Sequence, residues 1–116
     1  MKKILALAAV SEAATGLALL VDPPIVVRLL FGAEIMGAGI VIARIAGISL
    51  IALGIACWPG SKPQWAHYGM FVYSTLAMVY LAYVGLTGRR GILLWPAVAV
   101  HAVLSILLVL SSLTPD

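Results

Sequence analysis

Charge is scarce in this chain. Only 9% of its residues are Asp, Glu, Lys or Arg, against roughly 25% in ordinary soluble domains. The 64% that are hydrophobic could not be hidden in a water-soluble fold of this length, because small domains bury only about 60–70% of the surface that the unfolded chain exposes. A single cysteine, Cys57, excludes an internal disulfide and any cysteine-based metal cluster. It lies at the end of an apolar run, where it reads as packing. There is no Gly-rich phosphate loop, no paired-carboxylate constellation and no serine elbow, so nothing points to soluble enzymology. The net charge of +3 comes from a few Lys and Arg beside the apolar runs. It suits anionic lipid head groups rather than nucleic acid.

What the chain does have is long apolar runs. A bilayer core of about 30 Å takes about 20 apolar residues per helix, and four segments meet or approach that length: 4–21, 37–58, 66–86 and 91–111. Asp22-Pro23-Pro24 ends the first, since consecutive prolines cannot continue a helix. Pro59-Gly60 closes the second and Thr87-Gly88 the third. Trp58, Trp65 and Trp95 fall at span ends, where interfacial aromatic belts lie. Residues 24–32 are too short to cross and carry Arg28 in their middle. They read as an interfacial helix with Pro24 in its first turn and Gly32 as terminator. Lys2 and Lys3 followed by 4–10 resemble a signal peptide, with Ser11-Glu12-Ala13 as a weak cleavage site. The apolar run continues to Val21, however, so the segment reads as a span. The expectation is therefore one all-α domain, a four-helix transmembrane bundle with an interfacial helix between spans one and two. Tight loops should keep neighbouring spans antiparallel and in contact. Pro96 is expected to bend the fourth span or free a carbonyl near its start.

Orientation is a near balance. With the N-terminus inside, Lys2, Lys3 and Lys62 are cytoplasmic, and Arg28, Arg89 and Arg90 are outside. The lysines ahead of the first span favour both termini inside a bacterial inner membrane, although a dual-topology protein would show the same tie.

Three ionisable residues sit within the spans: Glu12, Arg44 and His101. A charge at the bilayer centre costs about 2.5–3.5 kcal/mol on insertion scales. At about 1.5 Å per residue, Glu12 lies about 12 Å deep from one side, and Arg44 and His101 about 10 and 15 Å deep from the other. Tyr73 and Tyr80, on one face of the third span, bracket the same slab, with Ser74, Tyr83 and Ser105 nearby. The expected arrangement is a Glu12–Arg44 ion pair facing the interior, which neutralises two costly charges at once. Such a layer can lock helix register, line a cavity that moves protons or holds a polar head group, or meet a partner subunit. His101 alone reads as hydrogen-bonded packing. His67 belongs at the membrane surface, roughly 15 Å from His101 along the normal, so no haem or metal site is expected in one subunit. Gly39, Ala43 and Gly47 repeat every four residues, as do Ala8, Glu12 and Gly16. Ridges of small residues let helices approach closely, within a monomer or between copies.

Several of these segments resemble a known group. Thr15-Gly16-Leu17, Asp22-Pro23, Leu30-Phe31-Gly32, Ala43-Arg44-Ile45-Ala46-Gly47 and Ala52-Leu53-Gly54 are similar to the first half of DoxX-like small bacterial membrane proteins. That resemblance implies a four-helix bundle and, for some relatives, association with quinone-linked oxidation or membrane redox complexes. Separately, Ala9-Val10-Ser11-Glu12-Ala13 resembles the membrane-embedded glutamate of small multidrug-resistance transporters. There Arg44 departs from the pattern, since a neighbouring guanidinium would keep Glu12 charged. The leading expectation is thus a non-catalytic accessory or structural subunit in a homo-oligomer or larger membrane complex, without a cofactor of its own. The alternative is a proton-coupled transporter, or a quinone or lipid binder, using Glu12 and His101.

Overall fold

The computed structural model describes residues 2–60, 63–88 and 91–113. It is all-helical among these residues, in the order α1 (Lys2–Val21), α2 (Pro23–Phe31), α3 (Ala38–Ala56), α4 (Pro63–Leu86) and α5 (Leu94–Ser112). α1, α3, α4 and α5 are each long and apolar enough to cross a membrane. The four spans and the short helix of the expected bundle are therefore present, with ends shifted by a few residues.

Local chemistry explains the boundaries. Asp22 caps α2, its carboxylate accepting from the Ile25 amide at 3.4 Å, and the two prolines that stop α1 occupy the first turn of α2. There a missing N–H costs nothing, because those amides have no helical partner. Gly32 ends α2 in the left-handed conformation, φ 63°, which favours glycine. α5 begins at Leu94 rather than Gly91, because 91–93 are used otherwise. Gly91 N donates to Leu30 O at 2.8 Å and Leu93 N to Leu29 O at 2.7 Å, clasping the end of α2. A Cβ on Gly91 would run into the backbone carbonyls of Arg28 and Leu29. Pro96 consequently falls in the first turn of α5, with Ala97 N bonded to Leu93 O at 2.9 Å. No bend is required of it.

The bundle is oblong, 45 × 26 × 16 Å, because its helices associate in pairs. α1 packs intimately on α3, and α4 on α5, whereas α1 joins the second pair by far thinner contacts. α3 and α4, although joined by a short loop, scarcely touch. The expected contact of every neighbouring span fails here because α3 seats its own glycines on α1. Gly47 faces Gly16, where a Cβ would lie 2.5 Å from the Gly16 oxygen, and Gly54 faces Ala9, where it would lie 2.6 Å from the Ala9 oxygen. Both contacts belong to one antiparallel register with backbone against backbone. Gly39 meets no residue of α1, its nearest neighbour being Ile35 at 3.5 Å, and Ala43 is only half-buried. Of the expected packing residues, Gly16 and Gly47 are at the contact and Gly39 is not, and Gly54, seven residues beyond Gly47, extends it.

α1 is the hinge of this arrangement. Its buried residues Leu5, Ala8, Ala9, Glu12 and Gly16 recur at the 3.6-residue period and serve both neighbours. Leu5 and Ala8 join Cys57, Met70, Leu104 and Leu108 in the hydrophobic core, which Leu53 and Phe71 flank. Cys57 is a packing residue within it.

Candidate polar site within the membrane

Glu12 projects from α1 toward α5 and is 3% exposed. Its partner is His101. The carboxylate Oε1 lies 3.3 Å from the imidazole Nε2, an ion-pair distance without the alignment of a hydrogen bond. On the other side of the ring, Nδ1 is 2.8 Å from the Ala97 carbonyl oxygen, one helical turn back. A carbonyl can only accept, so Nδ1 carries a hydrogen and Nε2 is the ring atom left to face the carboxylate. Tyr73 of α4 meets the His101 ring edge-on, with centroids 6.1 Å apart, and lies within electrostatic reach of Glu12.

The expected Glu12–Arg44 pair is not formed. Arg44 is exposed, and Glu12 is matched by the histidine instead. The cause is register. With Gly47 seated on Gly16 and Gly54 on Ala9, residue 44 stands opposite residue 19, about 10 Å along the axis from Glu12. Arg44 also points about 60° round the helix from the glycine stripe. Equal depth placed the two charges in one slab, but no contact joins them.

Tyr80 is likewise absent from the layer. It is 65% exposed and stacks on Tyr83 on the outer face of α4, with centroids 6.3 Å apart. Ser105, one turn beyond His101, is buried and accepts from the Thr75 hydroxyl at 3.3 Å. This bond between α4 and α5 had no sequence signal beyond two hydroxyl residues in apolar runs. His67, in the second turn of α4, is 3% exposed, because its position continues the inward stripe of Met70 and Ser74. Its Nδ1 and the Ser74 hydroxyl are buried without a hydrogen-bond partner among the described residues. Lys62, Arg89 and Arg90, which bear on orientation, lie outside the described residues. Arg28 pairs with Glu34 at 3.2 Å in an exposed bridge, worth little on general grounds.

Beside the pair, an open groove between α1 and α5 is lined by Leu7, Ser11, Val100, Val103 and Leu104. It is an apolar slot, with Ser11 its main polar group. Among the described residues, no three His, Cys, Asp or Glu side chains gather in one place. What the site can do chemically is hold a proton between two groups that both bind one. No family model matches the chain, and no curated protein or solved structure does either.

Proposed function

We propose that this protein is a small subunit of a bacterial inner membrane that works in a homo-oligomer or a larger membrane complex, and that it is not an enzyme. The observation that carries this reading is the uncovered face of α3. α1 holds α3 along its glycine stripe, and Val41, Ile42, Arg44, Ile45 and Ile48 are exposed among the described residues. Apolar side chains there are content in lipid. A guanidinium is not, and the insertion cost of about 2.5–3.5 kcal/mol at a span centre is relieved when a neighbouring helix brings acceptors to it. Arg44 sits six residues past the start of α3, so the partner would meet it about 9 Å below that end. The resemblance of the first half to DoxX-like proteins, some of which associate with membrane redox complexes, supports the same reading. Any quinone or redox group would then belong to the partner. Both termini face the cytoplasm in this reading, with Lys2 and Lys3 at the inner surface.

Site-specific photocrosslinking in native membranes tests it. A photoreactive side chain at Ile45 or Ile48 should give a protein adduct of defined mass, identified by mass spectrometry. The same probe at Val79, exposed on α4, should label lipid. Lipid-only labelling from all three positions refutes the assembly.

A further inference from the structure

Among the described residues, the buried ion pair lies at the thin seam between the two helix pairs. α1 and α3 are locked by glycine packing and α4 and α5 by extensive contact, whereas the two pairs meet only through thin contacts of α1 and, at one end, through the clasp of Gly91 and Leu93 on α2. At that meeting stand Leu5 and Ala8 against Met70, Leu104 and Leu108, and Glu12 against His101. Because Ala97 O occupies Nδ1, the proton balance across the 3.3 Å contact is fixed by chemistry. With no proton on either Oε1 or Nε2, a carboxylate faces a lone pair, which is repulsive and leaves a net charge of −1. With one proton, the contact is attractive and neutral overall, whichever atom holds it. A second proton leaves an imidazolium against a neutral acid, with a net charge of +1. Uncompensated charge at this depth is what lipid and core penalise most heavily.

We infer that Glu12 and His101 form a binding site for a single proton, and that gain or loss of that proton unlatches α1–α3 from α4–α5. This is independent of the assembly proposed above. Among the described residues, the other ionisable groups that reach Glu12 are Tyr73 from α4 and Cys57 at the end of α3. Both are acids that can only lose a proton, so neither produces a response on the acid side. Arg44 of α3 stands outside the site.

The protein carries its own reporter. Cys57, the only cysteine, is 4% exposed within the cluster that bridges the seam, so it should be alkylated only when the seam opens. The experiment measures maleimide labelling of the full chain in lipid vesicles from about pH 4 to pH 10, a range chosen to span ordinary carboxyl and imidazole titration. Dividing each rate by that of the detergent-denatured chain at the same pH removes the thiol's own pH dependence. Normalised labelling should be lowest in the middle and rise on both sides, approaching about tenfold per pH unit, as a transition coupled to one proton requires. Glu12→Gln separates a latch from a mere contact. Its amide donates to Nε2 without a titrating proton, so the alkaline rise should vanish and the acid rise should stay. Tyr73→Phe and His67→Gln should keep both rises. Flat labelling in the wild type, or an alkaline rise that survives Glu12→Gln, overturns the proposal. If Glu12→Gln does not fold, nitrogen NMR of the wild-type imidazoles decides. His101 Nε2 should change protonation or hydrogen bonding at both edges of the protected range, and a constant His101 signal overturns the proposal.

Discussion

Replacing Gly47 with alanine should separate the tightest pair of helices in this protein. A Cβ there would lie 2.5 Å from the Gly16 carbonyl oxygen, 2.9 Å from the Leu20 amide nitrogen and 3.0 Å from the Leu19 Cβ. Two of these are backbone atoms, which no rotamer change can move. Restoring ordinary contact distance requires α1 and α3 to part by about 0.5–1 Å, and a gap of that size forfeits about a quarter to a half of each van der Waals well. In lipid, such packing is a main source of helix association, since there is no hydrophobic drive between spans. At about 0.1–0.2 kcal/mol per atom pair, losing that share over some tens of pairs costs about 1–3 kcal/mol, which agrees with the general cost of overpacking. Gly39→Ala is the matched control. It lies on the same helix, its nearest neighbour is the Ile35 Cβ at an ordinary contact distance of 3.5 Å, and it should change stability by less than about 0.5 kcal/mol. Gly16→Ala should cost as much as Gly47→Ala, and the double variant less than both together, because the helices need part only once. Reversible unfolding in mixed micelles, followed by circular dichroism, measures all four. Equal stability of the Gly47 and Gly39 variants would refute the backbone-contact argument.

Other substitutions probe the remaining joints. Arg44→Met should leave the stability of the isolated monomer within about 1 kcal/mol of wild type, since Arg44 is exposed and pairs with no group among the described residues, and its effect should add to that of Glu12→Gln; a coupling above about 1 kcal/mol in a double-mutant cycle would revive the pair. Thr75→Val and Ser105→Ala remove the two ends of one hydrogen bond, so the same kind of cycle should return about 0.6 kcal/mol, the average for bonds between membrane helices. Gly91→Ala should unclasp the α4–α5 loop from α2, because its Cβ would strike two carbonyls, and faster amide exchange at Gly91 and Leu93 reports it. Asp22→Ala removes a long cap bond of 3.4 Å and should cost about 0.5–1 kcal/mol, the lower part of the usual range, seen as fraying of α2.

How much of this was legible beforehand depends on whether a property is additive along the chain. Span number, the interfacial α2 and the stops at Pro23, Pro59 and Gly88 follow from transfer energies and local backbone rules, each residue contributing on its own. The sequence also marked Glu12, His101 and Tyr73 as one layer, because depth is a sum of rises per residue. Partnership is different in kind. Whether Glu12 meets Arg44 or His101 turns on which residues of α3 seat on α1, and the four-residue repeat read from the sequence ran from Gly47 toward Gly39 rather than toward Gly54. The tertiary structure selected Gly47–Gly54, and that register carried Arg44 away to the outer face while leaving α5 free to bring His101 in. Tyr80 turned outward and His67 inward for the same reason: a helix with little amphipathic bias presents whichever face its neighbour's backbone allows. Chain chemistry alone therefore determined which helices are long and apolar enough to cross a membrane; only the close approach of helix to helix decided which buried charge is answered, and by what.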